Sequence, residues 1–180
     1  MADAGVHAAT AQDVPEITRI HRDTWRVAYA ELLPREVLDG IDAQDAWRDA
    51  VEHATVLVAT EGDWTVGYCV IGLAPAEETA KADGSLPADA GTTVLVTVLV
   101  EPRWGRRGHA GRLLATAAEA AREQGATRGI AWIPEADKAS KGFYERVGWM
   151  ADGTVRTLDA GGRPLREIRV SGDLSLQLAE

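Results

Sequence analysis

Val98-Leu99-Val100-Glu101-Pro102-Arg103-Trp104-Gly105-Arg106-Arg107-Gly108-His109-Ala110-Gly111-Arg112-Leu113-Leu114 passes from an apolar stretch through proline and glycine into the start of a helical pattern. It reads as strand, tight turn and helix. The charges at the junction do not suit an isolated helix. A helix N-terminus has unpaired backbone N–H groups and a partial positive charge, so Arg106, Arg107, His109 and Arg112 are locally unfavourable there. An anion held at that end removes the conflict. Gly108, Ala110 and Gly111 add little bulk above those N–H groups, so a phosphate can approach the backbone. The competing reading is a basic surface turn with no ligand. No Gly-Lys-Ser/Thr follows the glycines, which excludes a P-loop, and the spacing fails the Gly-x-Gly-x-x-Gly of dinucleotide folds.

Outward from this turn, the strand before it extends back to Thr92. The helix after it runs to about Gln124 with Ala110, Leu113, Leu114, Ala117, Ala118 and Ala121 on one side and Gly125 as its stop. Val6-His7-Ala8-Ala9 is a short strand, and a capping pattern at Thr10 or Asp13 opens a helix to about Tyr29 with Val14, Ile17, Ile20, Thr24 and Val27 as its buried line. His21, Trp25 and Tyr29 recur every fourth residue beside that line. Helical stretches at 35–38 and 42–53 follow, then a hairpin of Thr55–Thr60 and Thr65–Gly72 about Glu61-Gly62-Asp63-Trp64. Residues 74–91 lack periodicity and read as an exposed loop, either a connector or a substrate lid. A strand at Thr127–Ile133, a helix at Asp137–Val147 and strands around Thr154–Leu158 and Leu165–Val170, joined at Gly161-Gly162, complete the chain. The order β-α-α-β-β-β-α-β-α-β-β indicates an α/β or α+β sheet with helices on its faces.

A length of 180 residues suits one domain, and 46% hydrophobic with 26% charged residues is a globular composition with no run long enough to span a membrane. The N-terminus lacks the features of a secretory signal and the single Cys69, in an apolar run, excludes an internal disulfide framework, so a cytoplasmic location is expected. A net charge of −9 argues against nonspecific nucleic-acid binding and suits a cationic substrate.

Val100-Glu101-Pro102 followed by Gly108-His109-Ala110 resembles the acetyl-CoA signature of the GNAT acetyltransferases, Gln/Arg-x-x-Gly-x-Gly/Ala after a strand ending Val-x-Pro. Gly105 stands where the family usually has Gln or Arg, with Arg103 and Arg106 the nearest replacements. Asp137-Lys138-Ala139-Ser140-Lys141-Gly142-Phe143-Tyr144, with Gly148-Trp149 after it, resembles the family's Asn-x-x-Ala/Ser-x-x-Phe-Tyr and Gly-Phe. Read from spacing alone, Asp137, Ser140 and Tyr144 share a face beside an apolar line of Ala139, Phe143 and Val147. That face is either a helix cap with a solvated serine or one wall of a cleft. Trp25 and Tyr29 with Leu32-Leu33-Pro34 resemble a Trp…Ala-Tyr…Leu-Leu-Pro pattern of many members.

The resemblance covers nearly the whole chain and implies a single N-acetyltransferase domain across 1–180, its core at 5–172. It implies a mixed sheet of about seven strands and about four or five helices. It further implies acetyl transfer from acetyl-CoA, as co-substrate and without a metal, directly to a primary amine of a small molecule. A protein or peptide acceptor is one alternative, and a non-catalytic acyl-CoA-binding module is another. Homodimers are common in the family. By the same resemblance Val98, Leu99 and Val100 hold the pantetheine arm, and Arg106, Arg107, Gly108, His109, Ala110 and Gly111 the phosphates. Asp137, Ser140 and Tyr144 complete the cofactor site, Tyr144 donates a proton to the departing sulfur, and Trp25 and Tyr29 line the acceptor site. An amine with a lysine-like pKa of about 10.4 costs up to about 4.6 kcal/mol to deprotonate at pH 7. Glu101, His21 and Glu31 are the candidates for the base that assists.

Overall fold

Thr10 closes a capping box, accepting from the Gln12 N–H at 3.3 Å while Asp13 Oδ2 accepts from its own N–H at 2.8 Å. That cap launches helix α1, Val14–Ala28, in a computed structural model that describes residues 3–176. Helices α2 (Arg35–Asp39) and α3 (Gln44–His53) follow, with strand β1 (Ala4–Ala8) before them and β2 (Thr55–Glu61) and β3 (Trp64–Leu73) after. Next come α4 (Ala76–Thr79), β4 (Thr93–Val100), α5 (His109–Glu123), β5 (Arg128–Pro134), α6 (Lys138–Arg146), β6 (Met150–Ala160) and β7 (Arg163–Asp173). Among the described residues there are thus six helices, one more than the sequence suggests, the addition being the single turn of α4. The seven strands are hydrogen-bonded in the order β1-β2-β3-β4-β5-β7-β6, so the sheet is mixed. Strands β1 and β2 are antiparallel, β4 and β5 parallel, β5 and β7 antiparallel. None of the described helices is long and apolar enough to cross a membrane.

The chain packs as two compact units, neither a contiguous half of the sequence. One takes in the described residues up to Val70 with Val98–Ala117 and Asp159–Arg163; the other takes in Ile71–Thr97, Ala118–Leu158 and the described residues from Pro164 on. In the first, Ile17 and Ile20 of α1 pack with Val56, Val58 and Tyr68, and Trp47, Ala50 and Val51 of α3 lie against this cluster. The buried line of α1 is Val14, Ile17, Ile20 and Thr24, as periodicity implies, but Val27 is 72% exposed because the helix outruns its core.

In the second unit, β4 pairs with β5 from Thr93–Leu95 to Arg128–Ile130, and β5 then continues along β7 to Pro134. Gly129 and Gly172 face each other in that β5–β7 ladder, and Trp149 lies flat across both. A Cβ on either glycine would sit inside the indole, whose Nε1 donates to the Asp173 carbonyl at 2.9 Å. This slot explains why tryptophan stands where the sequence pattern has phenylalanine: the paired glycines make room for the larger ring. Segment 74–91 is more structured than its composition suggests, for it holds α4, a 3-10 turn at Ala90–Thr92 and the buried Thr79. Residues 81–86 are exposed.

Candidate active site

Proline at 102 and a short 3-10 turn end β4, and the chain then reverses through Arg106 and Gly108, whose φ angles are +62° and +81°. Left-handed conformations at alternate residues turn successive N–H groups toward one side, a geometry suited to anions. Glycine adopts such a φ freely, whereas Arg106 is strained in it. Arg112 is the first residue of α5 whose backbone N–H is bonded, to the Gly108 carbonyl at 3.0 Å. Among the described residues, the N–H groups of 106–111 donate to no backbone or side-chain acceptor.

Two carboxylates of the protein itself offset part of the clustered positive charge that an anion is expected to relieve. Glu61, at the end of β2, accepts from Arg107 Nη1 at 2.6 Å and from His109 Nε2 at 2.7 Å. Glu101 is paired with Arg19 and Arg103. Arg103 and Arg107 also stack on Trp104, at 5.7 and 5.0 Å from the ring centroid. Arg106 is exposed and makes no side-chain hydrogen bond or ion pair among the described residues. His109 is only 1% exposed, so its ring is not available to a ligand. Unbonded N–H groups, a bare guanidinium and a glycine with no Cβ above them fit a phosphate.

Glu101, a candidate base, is 7% exposed. Burial pushes its carboxyl up, but the hydrogen bonds from Arg19 and Arg103 outweigh that and hold it below the usual carboxylate range. A carboxylate so engaged is an ion-pair partner and a poor base. His21 accepts from Trp47 Nε1 at Nδ1, 3.3 Å, so the neutral ring carries its proton on Nε2. Burial pushes its pKa down from 6.5. Both of its nitrogens are therefore committed, one as acceptor and one as N–H, and His21 suits a hydrogen-bond donor better than a base. Glu31 is exposed, in the turn after α1.

Trp25 and Tyr29 belong to a longer row. Their rings meet edge to face at 5.0 Å; Trp25 meets His21 at 5.1 Å, His21 meets Trp47 at 5.9 Å, and Trp47 meets Tyr68 at 4.7 Å. The i, i+4 spacing of 21, 25 and 29 signals the first three; Trp47 and Tyr68 come from α3 and β3 and leave no such local signal. Cys69 is buried, which pushes its thiol up to about 12, as befits core packing.

On α6, Asp137 caps the helix: its carboxylate accepts from the Ser140 N–H at 3.0 Å and the Ser140 hydroxyl at 2.7 Å. Tyr144 is 4% exposed, stacked on Trp149 at 5.6 Å and edge-on to Phe143 at 5.0 Å. Val147 is buried with it, but Ala139 is exposed, so the apolar line inferred from spacing is shorter than expected. Among the described residues only Arg146 comes within reach of a Cβ at Gly142, at an ordinary 3.5 Å, so no close contact among them explains a glycine there.

A sequence model of the acetyltransferase (GNAT) family matches residues 14–149, a span that includes both the phosphate-suited turn and α6. The chain belongs to the GNAT acetyltransferase family. The uncharacterised N-acetyltransferase YuaI of Bacillus subtilis (strain 168) is 26% identical over 133 residues, 72% of this chain and 71% of its own length. An N-acetyltransferase from Staphylococcus aureus Mu50 has a similar fold, with a TM-score of 0.72 at 19% identity, over 97% of this chain and all of that one. So has YncA of Salmonella typhimurium, solved with its cofactor acetyl-CoA, with a TM-score of 0.70 at 21% identity over 98% and 96% of the two chains. As a GNAT member, this chain is an acetyl-CoA-dependent acetyltransferase.

Proposed function

We propose that this GNAT enzyme moves the acetyl group of acetyl-CoA directly to a primary amine on a small molecule, as one catalytic domain across 1–180. The observation that supports the donor half most strongly is the turn at 106–111, with its unbonded N–H groups and bare Arg106. In this reading those groups hold the cofactor's pyrophosphate, and the Val98–Val100 backbone holds the pantetheine arm. The amine nitrogen attacks the thioester carbonyl carbon, the C–S bond breaks, and coenzyme A leaves as a thiolate that takes a proton from Tyr144. Replacing Tyr144 by Phe lowers kcat about a hundredfold while changing acetyl-CoA affinity far less; an unchanged kcat removes Tyr144 from the mechanism. Proton removal from the ammonium stays with Glu31, the one of the three candidates with neither an ion pair nor a side-chain hydrogen bond among the described residues.

The acceptor half rests on the aromatic row Tyr29–Trp25–His21–Trp47, which offers apolar faces and an imidazole N–H, and on the net charge of −9, which draws in a cation. The free Cys69 fits a reducing, cytoplasmic setting. Incubation with acetyl-CoA and a panel of aminoglycosides, polyamines, amino acids and basic peptides, followed as thiol release, tests the reading. A small amine among the products supports it, acetylated peptide alone makes the chain a protein acetyltransferase, and binding without release makes it an acyl-CoA-binding module.

A further inference from the structure

We propose that Glu61, far from the turn in sequence, is the residue that positions the cofactor's phosphate cradle, an inference that rests on the turn's role just given. His109 opens α5, and its buried ring is held from two sides. Arg112 Nη2 lies 3.1 Å from Nδ1, and a guanidinium can only donate, so Nδ1 keeps its lone pair and Nε2 keeps the proton. That proton is directed at Glu61 Oε2 at 2.7 Å, while Oε1 takes the Arg107 guanidinium at 2.6 Å. Arg112 Nη2 also donates to the Arg107 carbonyl at 3.1 Å. One carboxylate therefore ties down the residues on both sides of Gly108 and, through the imidazole, the first turn of α5.

Glu61 can do this because it stands on an element that does not share the turn's freedom. It ends β2, opposite Ala4 in the β1–β2 ladder. The hydrogen bond from His109 is the main influence holding its carboxyl below the usual carboxylate range; burial opposes it and Arg107 reinforces it. The group is thus ionised at neutral pH, and Arg107 offsets the repulsion that a bare carboxylate would exert on a phosphate. A cradle of backbone N–H groups stabilises an anion most when it is fixed before the anion arrives, since otherwise binding must also order the loop.

A residue that merely stabilised the fold would affect every acetyl donor alike, whereas one that positions the phosphate cradle matters only to a donor with phosphates. The test measures kcat/KM for acetyl-CoA and for S-acetylpantetheine, which has none, using the amine selected by the panel or water in its absence. With acetyl-CoA, Glu61→Ala is expected to lose about tenfold through KM, and Glu61→Gln, which keeps an acceptor for His109 but loses the charge on Arg107, about threefold. With S-acetylpantetheine both variants stay within about twofold of the parent. If the Ala variant does not fold, the Gln variant carries the same comparison. Equal losses with the two donors, or no loss with acetyl-CoA, overturn the role of Glu61 alone. A parent enzyme with no preference for acetyl-CoA over S-acetylpantetheine overturns the reading of the turn, and Glu61 with it.

Discussion

Arg169 lies among groups that take up nearly all of its N–H donors, whereas Arg106 stands on the turn before α5 with none of its donors engaged among the described residues. Arg169 donates to Asp152 at 2.7 Å, to the Glu78 and Ala80 carbonyls at 2.9 and 2.8 Å, and to the Thr154 hydroxyl at 3.1 Å. Its neighbour Arg156 is shared between Glu167 at 2.7 Å and Glu78 at 3.0 Å and sits over Trp132, 4.2 Å from the ring centroid. Trp132 Nε1 also donates to Glu78, at 2.5 Å. Clustered arginines thus point to a ligand only where hydrogen-bonding capacity is left over. Around Trp132 the charges are structural, fastening α4 to the strands; at 106–111 a guanidinium and a set of backbone N–H groups remain for something else.

Substitutions should separate these two kinds of cluster. Arg169 is 6% exposed, and its replacement by Ala strands the Asp152 carboxylate and two carbonyls. A loss of about 3–5 kcal/mol in urea unfolding is expected; a loss of less than about 1 kcal/mol would show that solvent takes over its bonds. Arg106→Ala should do the opposite, leaving stability within about 0.5 kcal/mol and weakening acetyl-CoA binding by about tenfold in calorimetric titration. Equal affinity would move Arg106 from the ligand to the solvent. His21 is the intermediate case, a half-buried ring with one nitrogen taken by Trp47. Because burial lowers its pKa below 6.5, the unfolded chain accepts a proton that the folded chain refuses. Stability is therefore full above about pH 6.5 and falls as the pH drops toward the folded value. His21→Gln should flatten that part of the curve, and an unaltered slope would mean that the ring titrates in the fold as it does in water.

Local signals carried much of the fold. The helix over 109–123, the cap at Thr10, the hairpin about Gly62-Asp63 and the turn at Gly161-Gly162 each follow from residues close together in sequence. Gly161, with a φ of +63°, also lies so close to Val37 that a Cβ would come within 2.6 Å. Position along a helix was less legible than periodicity: Val27 continues the α1 stripe after the core has ended, and Ala139 lies about 140° round the helix from Tyr144. The site was legible as far as its backbone was. Glycine spacing and misplaced charge marked the turn, but Glu61, 46 residues before Arg107 and 48 before His109, leaves no trace near it. Similarly, segment 74–91 looks featureless because what orders its first turn, Arg156 and Arg169, belongs to β6 and β7.

In the proposed reading the turn at 106–111 holds the pyrophosphate of acetyl-CoA through its backbone. Gly108 is its most sensitive point, since its φ of +81° disfavours any side chain and a large one would cover the N–H groups. Calorimetric titration of acetyl-CoA into the parent protein and into Gly108→Trp, with circular dichroism to verify the fold, tests this role of the turn. One equivalent bound by the parent and none by a folded variant is the predicted result. A folded Gly108→Trp that binds acetyl-CoA as tightly as the parent would contradict it.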